Sequence, residues 1–337
     1  MRLSDFDYDL PPSRIAQQPI EPRDAARLLV DRGSADAEHR HVSDLPSLLA
    51  PGDVLVVNDT KVIPARLKLR RETGGAAEVL LLEPLDAARR DWEALVRPAR
   101  KLRRGEHLVT DAGVPLVEVG RRTEAGDTFR VTVLGDGDPL DVLAHHGEMP
   151  LPPYITEPLG DADRYQTVYA REPASAAAPT AGLHLTPRVL GEIEALGVPL
   201  QRVELVVGLD TFQPISEDDP THHPMHSERY RVPAETSAMC REARRVVAVG
   251  TTAVRALESA AATGVAEGRT RLFIHRPYEW RVVDVLMTNF HLPRTTLLMM
   301  IDAFVGPRWR ALYETALEEE YRFLSFGDAM LLDRHSA

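Results

Sequence analysis

The segment Ala178-Pro179-Thr180-Ala181-Gly182-Leu183-His184-Leu185-Thr186 places a proline, two threonines, a glycine and a histidine directly ahead of a helix. Thr186 reads as the N-cap of that helix, Pro187 as its first residue and Gly197 as its stop, with Val189, Leu190, Ile193 and Leu196 on one apolar stripe. Backbone N–H groups, the Thr180 hydroxyl and the His184 imidazole are thereby offered together, which suits the turn to receive an anion and to move a proton. Taken alone, the same residues read equally well as a capped loop shaped by Pro179 and Gly182, with His184 a satisfied structural group.

Three further clusters have this character. The apolar strand Val246–Val249 runs into Gly250-Thr251-Thr252 and a helix over Thr251–Ala262, which turns free N–H groups and hydroxyls toward an anion. Arg255, one turn later, adds a guanidinium fork suited to a carboxylate. Thr288-Asn289-Phe290-His291-Leu292-Pro293 lies between a strand and a helix starting near Thr296; Asn289 carries donors and an acceptor for a purine edge or ribose hydroxyls, while Phe290 reads as core. In Met225-His226-Ser227-Glu228, His226 and Glu228 suit acid–base or positioning work if their pocket shifts the pKa of one of them. A metal site from His222, His223, His226 and Glu228 is rejected, because Pro224 disfavours the helix that would align them and no second ligand cluster has suitable spacing.

The elements that must hold these clusters fall into two patterns. Short β-rich runs at Glu78–Leu82, Trp92–Val96, His107–Val109, Val114–Val119 and Phe129–Leu134, separated by glycine-bearing turns, predict a small antiparallel barrel or sandwich. Elsewhere helices alternate with strands: helices at Asp44–Ala50, Thr186–Leu196, Ala234–Arg244, Thr251–Ala262, Thr296–Phe304 and Arg308–Glu319, and strands at Val54–Val57, Leu200–Val207, Val246–Val249 and Arg271–His275. Because Val54–Val57 belongs to the second pattern, the fold expected is a discontinuous α/β body of residues 1–65 and 150–337, with an inserted antiparallel β-barrel domain over 66–149. Met149-Pro150-Leu151-Pro152-Pro153-Tyr154 reads as a stiff exit linker.

The chain has 337 residues and a net charge of −11, but the charge is segregated. Thr60–Arg104 carries 12 basic against 6 acidic residues, a net +6, which leaves −17 on the rest. The densest basic run is Arg97, Arg100, Lys101, Arg103 and Arg104, which reads either as a solvated hairpin or as a phosphate-neutralising patch. The single Cys240 excludes an internal disulfide framework and reads as a bystander. No apolar run reaches the roughly 20 residues of a membrane helix and the acidic, proline-bearing start does not read as a signal peptide, so the expectation is a cytoplasmic monomer without membrane contact.

These blocks, together with Phe6-Asp7-Tyr8-Asp9-Leu10-Pro11, the stretch Gly52–Arg66 and Phe326-Gly327-Asp328-Ala329-Met330, resemble the S-adenosylmethionine:tRNA ribosyltransferase-isomerases of queuosine biosynthesis along nearly the whole chain. The resemblance implies S-adenosyl-L-methionine as co-substrate, no metal, and as partner a tRNA carrying 7-aminomethyl-7-deazaguanine. It implies that the cofactor gives up its ribosyl portion, releasing adenine and methionine, to yield epoxyqueuosine in tRNA. On that reading His184, Glu228 and His226 are the catalytic candidates. Thr180, Gly182, Thr251, Thr252, Arg255, Asn289 and His291 bind substrate, and the basic run Arg97–Arg104 binds tRNA. The chain departs from the family pattern at Asp210, in place of glycine, and at Ala253 and Thr295, each in place of serine. Those departures keep open the same chemistry on a free deazapurine or another amine. An S-adenosylmethionine-dependent methyltransferase is weakened by the lack of a glycine-rich loop after a first strand. A non-catalytic RNA-binding protein is the third alternative.

Overall fold

The computed structural model describes residues 1–33, 36–123, 126–207, 215, 217–223, 225 and 227–334; His226 and Asp210 lie outside the described residues. Four strands come first, β1 (Arg27–Asp31), β2 (Glu38–His41), β3 (Asp53–Asn58) and β4 (Thr60–Val62), with a short helix α1 (Leu45–Leu48) between β2 and β3. The next six close into a barrel: β5 (Arg66–Arg71), β6 (Ala76–Pro84), β7 (Asp91–Arg97), β8 (His107–Val109), β9 (Pro115–Arg122) and β10 (Phe129–Val133). After α2 (Pro139–His146) and β11 (Glu172–Ser175) come α3 (Pro187–Ala195), β12 (Leu200–Leu205), β13 (Glu228–Arg231), α4 (Ala234–Glu242) and β14 (Arg245–Val249). The chain then runs through α5 (Thr251–Thr263), β15 (Glu267–Thr270), β16 (Val285–Asn289), α6 (Thr296–Val305), α7 (Trp309–Glu318) and β17 (Ala329–Asp333).

Nine strands form one sheet in the order β15-β13-β12-β3-β14-β16-β17-β1-β2. Its centre, β12-β3-β14-β16, is parallel throughout. Central parallel strands are covered on both faces and therefore read as continuous apolar runs, and all of β3 is buried. The period of two sorts that run between the layers. Val54 and Val56 join Ala253, Leu257, Leu298 and Trp309 in one core, whereas Leu55 and Val57 join Leu45, Val189 and Ile193 in another. Helices α5, α6 and α7 thus cover one face and α1 and α3 the other.

The barrel leaves and rejoins this body at a narrow seam. Arg66 and Glu148 exchange backbone hydrogen bonds, Arg66 N–H to the Glu148 carbonyl at 3.2 Å and the reverse at 2.8 Å, and β4 pairs in parallel with β11. Inside the barrel, Trp92, Ala94 and Val96 alternate inward with Val79, Leu81, Val117 and Val131, and closure leaves no free edge. One further contact crosses between the two parts. Arg269 of β15 donates from Nη1 to both carboxylate oxygens of Glu83 in β6 at 2.8 Å, and from Nε and Nη2 to the hydroxyl and carbonyl of Ser227 at 3.0 and 2.7 Å.

The expected strand at Arg271–His275 is corrected. The strand is Glu267–Thr270, and the ladder ends there because Thr270 Oγ1 accepts the Leu272 N–H at 3.0 Å, which turns the chain away from β13. The expected helices and the other expected strands are present with ends shifted by a few residues, and the expected barrel region gains the unforeseen β5.

Leu55 is fully buried at the centre of β3. Leu55→Ala is expected to cost about 2–5 kcal/mol in denaturant unfolding through lost burial and a residual cavity.

Candidate active site

Parallel strands leave their last carbonyls and the first N–H groups of the following helices together at one edge, where open α/β sheets bind ligands. Here that edge holds a cavity of about 600 Å³, its open mouth included, at the carboxyl ends of β14 and β16. Thr180, Thr251, Thr252, Asn289 and His291, five of the substrate-binding residues expected from sequence, line it.

Gly250 makes the turn into α5 with φ +88° and ψ 150°, a backbone conformation open to glycine, and anchors it by donating its N–H to the Met287 carbonyl at 2.7 Å. The first-turn N–H groups of α5 are left without intrahelical acceptors, and Gly250, Thr251 and Thr252 at that helix start line the cavity. Thr252 Oγ1 is buried there with no hydrogen-bond partner. The start of α6 reaches the same cavity, capped by Thr295, whose hydroxyl accepts the Leu298 N–H at 3.4 Å and donates to the Leu292 carbonyl at 2.8 Å. Threonine caps as serine does, which accounts for the departure at that position. Ala253 is fully buried on the α5 face that packs against the sheet.

The Thr180–His184 turn is wired to β16. Thr180 Oγ1 donates to Asn289 Oδ1 at 3.0 Å, and Asn289 Nδ2 lies 3.1 Å from His184 Nε2. An amide nitrogen only donates, so His184 accepts at Nε2 and carries its proton on Nδ1. Burial, then the charges of Arg322 and Arg23, pull the His184 pKa down to about 4. His184 does not line the large cavity; it faces a smaller hollow shared with Arg23 and Arg164, and Ser325 borders both spaces. Gly182 does not line the cavity either. A Cβ there would stand 1.8 Å from Tyr169 Oη, so glycine is needed for close packing behind the turn.

His291 is fixed on every side: its N–H donates to Tyr313 Oη at 3.0 Å, its carbonyl accepts from Tyr8 Oη, and Nε2 lies 3.1 Å from Thr288 Oγ1. Burial lowers its pKa to about 3. Phe290 is fully buried, with ring centroids 4.7 Å from Phe323 and 5.4 Å from Tyr313, in keeping with its reading as core.

Arg255 and Glu228 are brought together, but not as the sequence suggested. The Arg255 guanidinium closes on the Glu228 carboxylate, donates from Nε to the Leu272 carbonyl at 3.2 Å, and lies outside the cavity wall. Burial lowers the Arg255 pKa to about 10. Glu228 therefore takes one arm of the fork expected for a carboxylate, Nη2 is buried without a hydrogen-bond partner among the described residues, and the arginine stays charged at neutral pH. His226 lies outside the described residues; His223 Nδ1 pairs with Glu217 at 3.0 Å, and no cluster of three metal-ligating side chains occurs among the described residues.

Sequence reasoning missed Tyr154, Thr288 and Ser325, which also line the cavity, with Tyr154 Oη 2.7 Å from Ser325 Oγ. A signal existed for the first, since Tyr154 ends the proline-rich exit linker, and for the last, which adjoins Phe326-Gly327. The basic run lies apart, on the barrel between β7 and β8. Arg97, Arg100, Lys101, Arg103 and Arg104 are all exposed and have no ion pair among the described residues.

A family model described as "Queuosine biosynthesis protein" matches residues 3–332. The chain belongs to that family. Among curated relatives, S-adenosylmethionine:tRNA ribosyltransferase-isomerases from Rubrobacter xylanophilus and Symbiobacterium thermophilum are 53% and 51% identical to it; the alignments cover 98% of this chain and 98% and 100% of the relatives. Among solved structures, S-adenosylmethionine tRNA ribosyltransferase from Thermotoga maritima matches with a TM-score of 0.55 and 38% identity, covering 97% of this chain and 99% of that one. The discontinuous α/β body with its inserted barrel is thus the family's fold, and the departure at Asp210 falls outside the described residues.

Two outcomes are expected of these groups. His184 and His291 stay neutral in the folded protein to about pH 4 and 3, whereas the unfolded chain protonates them near 6.5. Their contribution to stability is complete above pH 6.5 and is lost as pH falls through 6.5 toward those values, so His184→Asn or His291→Gln is expected to flatten the decline of Tm below about pH 6.5. Arg255→Ala removes the guanidinium that closes on the buried Glu228 carboxylate and is expected to destabilise by about 3–5 kcal/mol in chemical denaturation. Arg255→Met paired with Glu228→Leu is expected to recover most of that loss.

Proposed function

We propose that this chain transfers and isomerises the ribosyl portion of S-adenosylmethionine onto the aminomethyl group of 7-aminomethyl-7-deazaguanine in tRNA, forming epoxyqueuosine-tRNA. The activity named for its full-length relatives supports this, and the observation that supports a site for it is the cavity at the carboxyl ends of β14 and β16. Two helix starts and the unpartnered Thr252 hydroxyl converge there, and no charged side chain lines the wall among the described residues. An anionic carboxylate fits helix N-termini, and a sulfonium gains from the absence of competing cations.

On this reading the methionine carboxylate of S-adenosylmethionine rests on the start of α5 and the Thr252 hydroxyl. The sulfonium withdraws electron density from the ribose C5′–H bond, so a base removes that proton and leaves a stabilised carbanion. The carbanion's electrons drive the rearrangement in which adenine departs, the amine joins the sugar, and an oxygen finally displaces methionine to close the epoxide. Closed surroundings that exclude water protect the carbanion. His184 acts through Asn289: with Nε2 accepting from the amide and a pKa near 4, it holds Asn289 in one orientation toward the substrate rather than storing a proton. The segment His226–Glu228 is our assignment for proton transfer, and Arg255 holds its carboxylate. The exposed run Arg97–Arg104 supplies the electrostatic contact with tRNA phosphates.

Mass spectrometry after incubation with S-adenosylmethionine and tRNA bearing the aminomethyl base tests the reading. Adenine and methionine with a heavier tRNA base support it; S-adenosylhomocysteine indicates methyl transfer, and consumption of the free deazapurine with tRNA ignored moves the partner. In the same assays Thr252→Val is expected to weaken S-adenosylmethionine binding by about 1.5–3 kcal/mol with an unchanged fold, the loss of one hydrogen bond to a charged group. An unchanged dissociation constant rejects the carboxylate site at α5.

A further inference from the structure

The segment between β7 and β8 carries its cations in an ordered pattern. Arg100, Lys101, Arg103 and Arg104 are exposed, while Ala99 and Leu102 pack against the barrel core. Four neighbouring like charges repel one another and gain nothing from packing, so an ordered arrangement needs an anchor. That anchor is one ion pair on the side of the segment facing the barrel. Arg71 Nε donates to Glu106 Oε1 at 2.7 Å and Arg71 Nη2 to Oε2 at 3.1 Å, and the two side chains are 15% and 8% exposed.

Each partner also holds the backbone of the segment. Arg71 Nη2 donates to the Lys101 carbonyl at 2.7 Å, and the Arg103 N–H donates to Glu106 Oε2 at 3.0 Å. The Arg103 carbonyl accepts the Glu106 N–H at 3.1 Å, and Arg122 Nη2 adds a bond to the Ala99 carbonyl at 3.3 Å. The hydrogen bond from Arg71, ahead of an opposing cost of burial, holds the Glu106 carboxyl below the usual carboxylate range. Other carboxylates near this face are engaged or set apart. Asp111 pairs with Arg70, Glu72 and Glu118 lie within 4 Å of His107, and Glu78 stands opposite Arg97 across β6 and β7.

We propose that the Arg71–Glu106 pair is a positioning clasp that presents Arg100, Lys101, Arg103 and Arg104 as a preformed array to consecutive RNA phosphates. The proposal rests on the reading that this segment contacts tRNA. Preorganisation lowers the ordering cost of binding, so the clasp contributes to affinity without touching RNA. Glu106 therefore has an effect opposite in sign to its charge. An acidic residue beside a polyanion site weakens binding by electrostatics alone, whereas this one strengthens it by fixing the cations.

The opposition in sign gives the test. Binding of an unmodified tRNA transcript is measured at several salt concentrations for wild type, Glu106→Gln, and the double variant Arg71→Met with Glu106→Met, alongside S-adenosylmethionine affinity. The double variant leaves the net charge unchanged and exchanges a half-buried ion pair for an apolar contact that a fold tolerates. Both are expected to bind tRNA about tenfold more weakly, with a salt slope flatter by roughly 0.7–0.9 for each phosphate no longer neutralised, and to bind S-adenosylmethionine as wild type does. Wild-type or tighter tRNA binding by Glu106→Gln overturns the clasp; if that variant does not fold, wild-type binding by the double variant overturns it. Replacing Arg100, Lys101, Arg103 and Arg104 by Gln separates the two ideas. If that quadruple variant binds tRNA normally, the underlying reading of the segment fails; if it weakens binding while the clasp variants do not, only the clasp fails.

Discussion

The turn from β14 into α5 is the constraint on which the site depends. β14 is buried on both faces between parallel neighbours, so its backbone is spent on the ladder until the chain reaches Gly250. There the backbone must reverse its hydrogen-bonding role within one residue, and only a positive φ allows the N–H to reach back to Met287 while the following N–H groups point outward. A side chain at that position meets strain irrespective of the space around it. The free helix start at the cavity is thus a by-product of closing the sheet on α5, and Glu258 secures the far side of the same helix. Fully buried, Glu258 accepts the backbone N–H groups of Arg281, Val282 and Val283 at 3.0 to 3.1 Å and so ties α5 to the chain entering β16.

Charge in this molecule follows the division of labour between its parts. The cavity relies on backbone dipoles and hydroxyls, with its lining histidine, His291, held neutral by burial as His184 is in the neighbouring hollow. Such a wall changes little in charge across physiological pH, which suits a ligand that carries opposite charges a few bonds apart. The barrel presents unpaired cations on an otherwise acidic protein. A polyanion is consequently attracted to one region and repelled elsewhere, which orients an encounter before any contact forms.

Much of this was legible in the sequence where one physical rule dominated. The runs Val54–Val57 and Val246–Val249 announce doubly covered strands, and Thr186-Pro187 and Gly250-Thr251 announce helix starts, because local burial and capping decide those segments. The edge strand Glu38–His41, the strand Glu228–Arg231 next to the opposite edge and the barrel strand Arg66–Arg71 were not legible. Their residues are largely charged, and their pairing is imposed by partners distant in sequence. The site divides in the same way. Threonines and the asparagine at element ends could be named in advance, but the closure of Arg255 on Glu228, 27 residues apart, has no local signal. Tyr154 and Ser325 likewise meet across 171 residues; the motif beside each marks it as a candidate, but no local pattern pairs the two. Sequence patterns report the period of a segment, whereas charge pairing reports the topology.

Arg269 joins the two parts of the molecule with a single side chain, since its guanidinium grips Glu83 on the barrel and Ser227 on the body. Ser227 directly precedes Glu228, so the barrel is latched to the strand that bears this carboxylate. A swing of the barrel that stretches the Glu83 bonds also tugs on that strand. A force applied far out on the barrel would therefore act through a lever arm whose short end lies beside the buried ion pair.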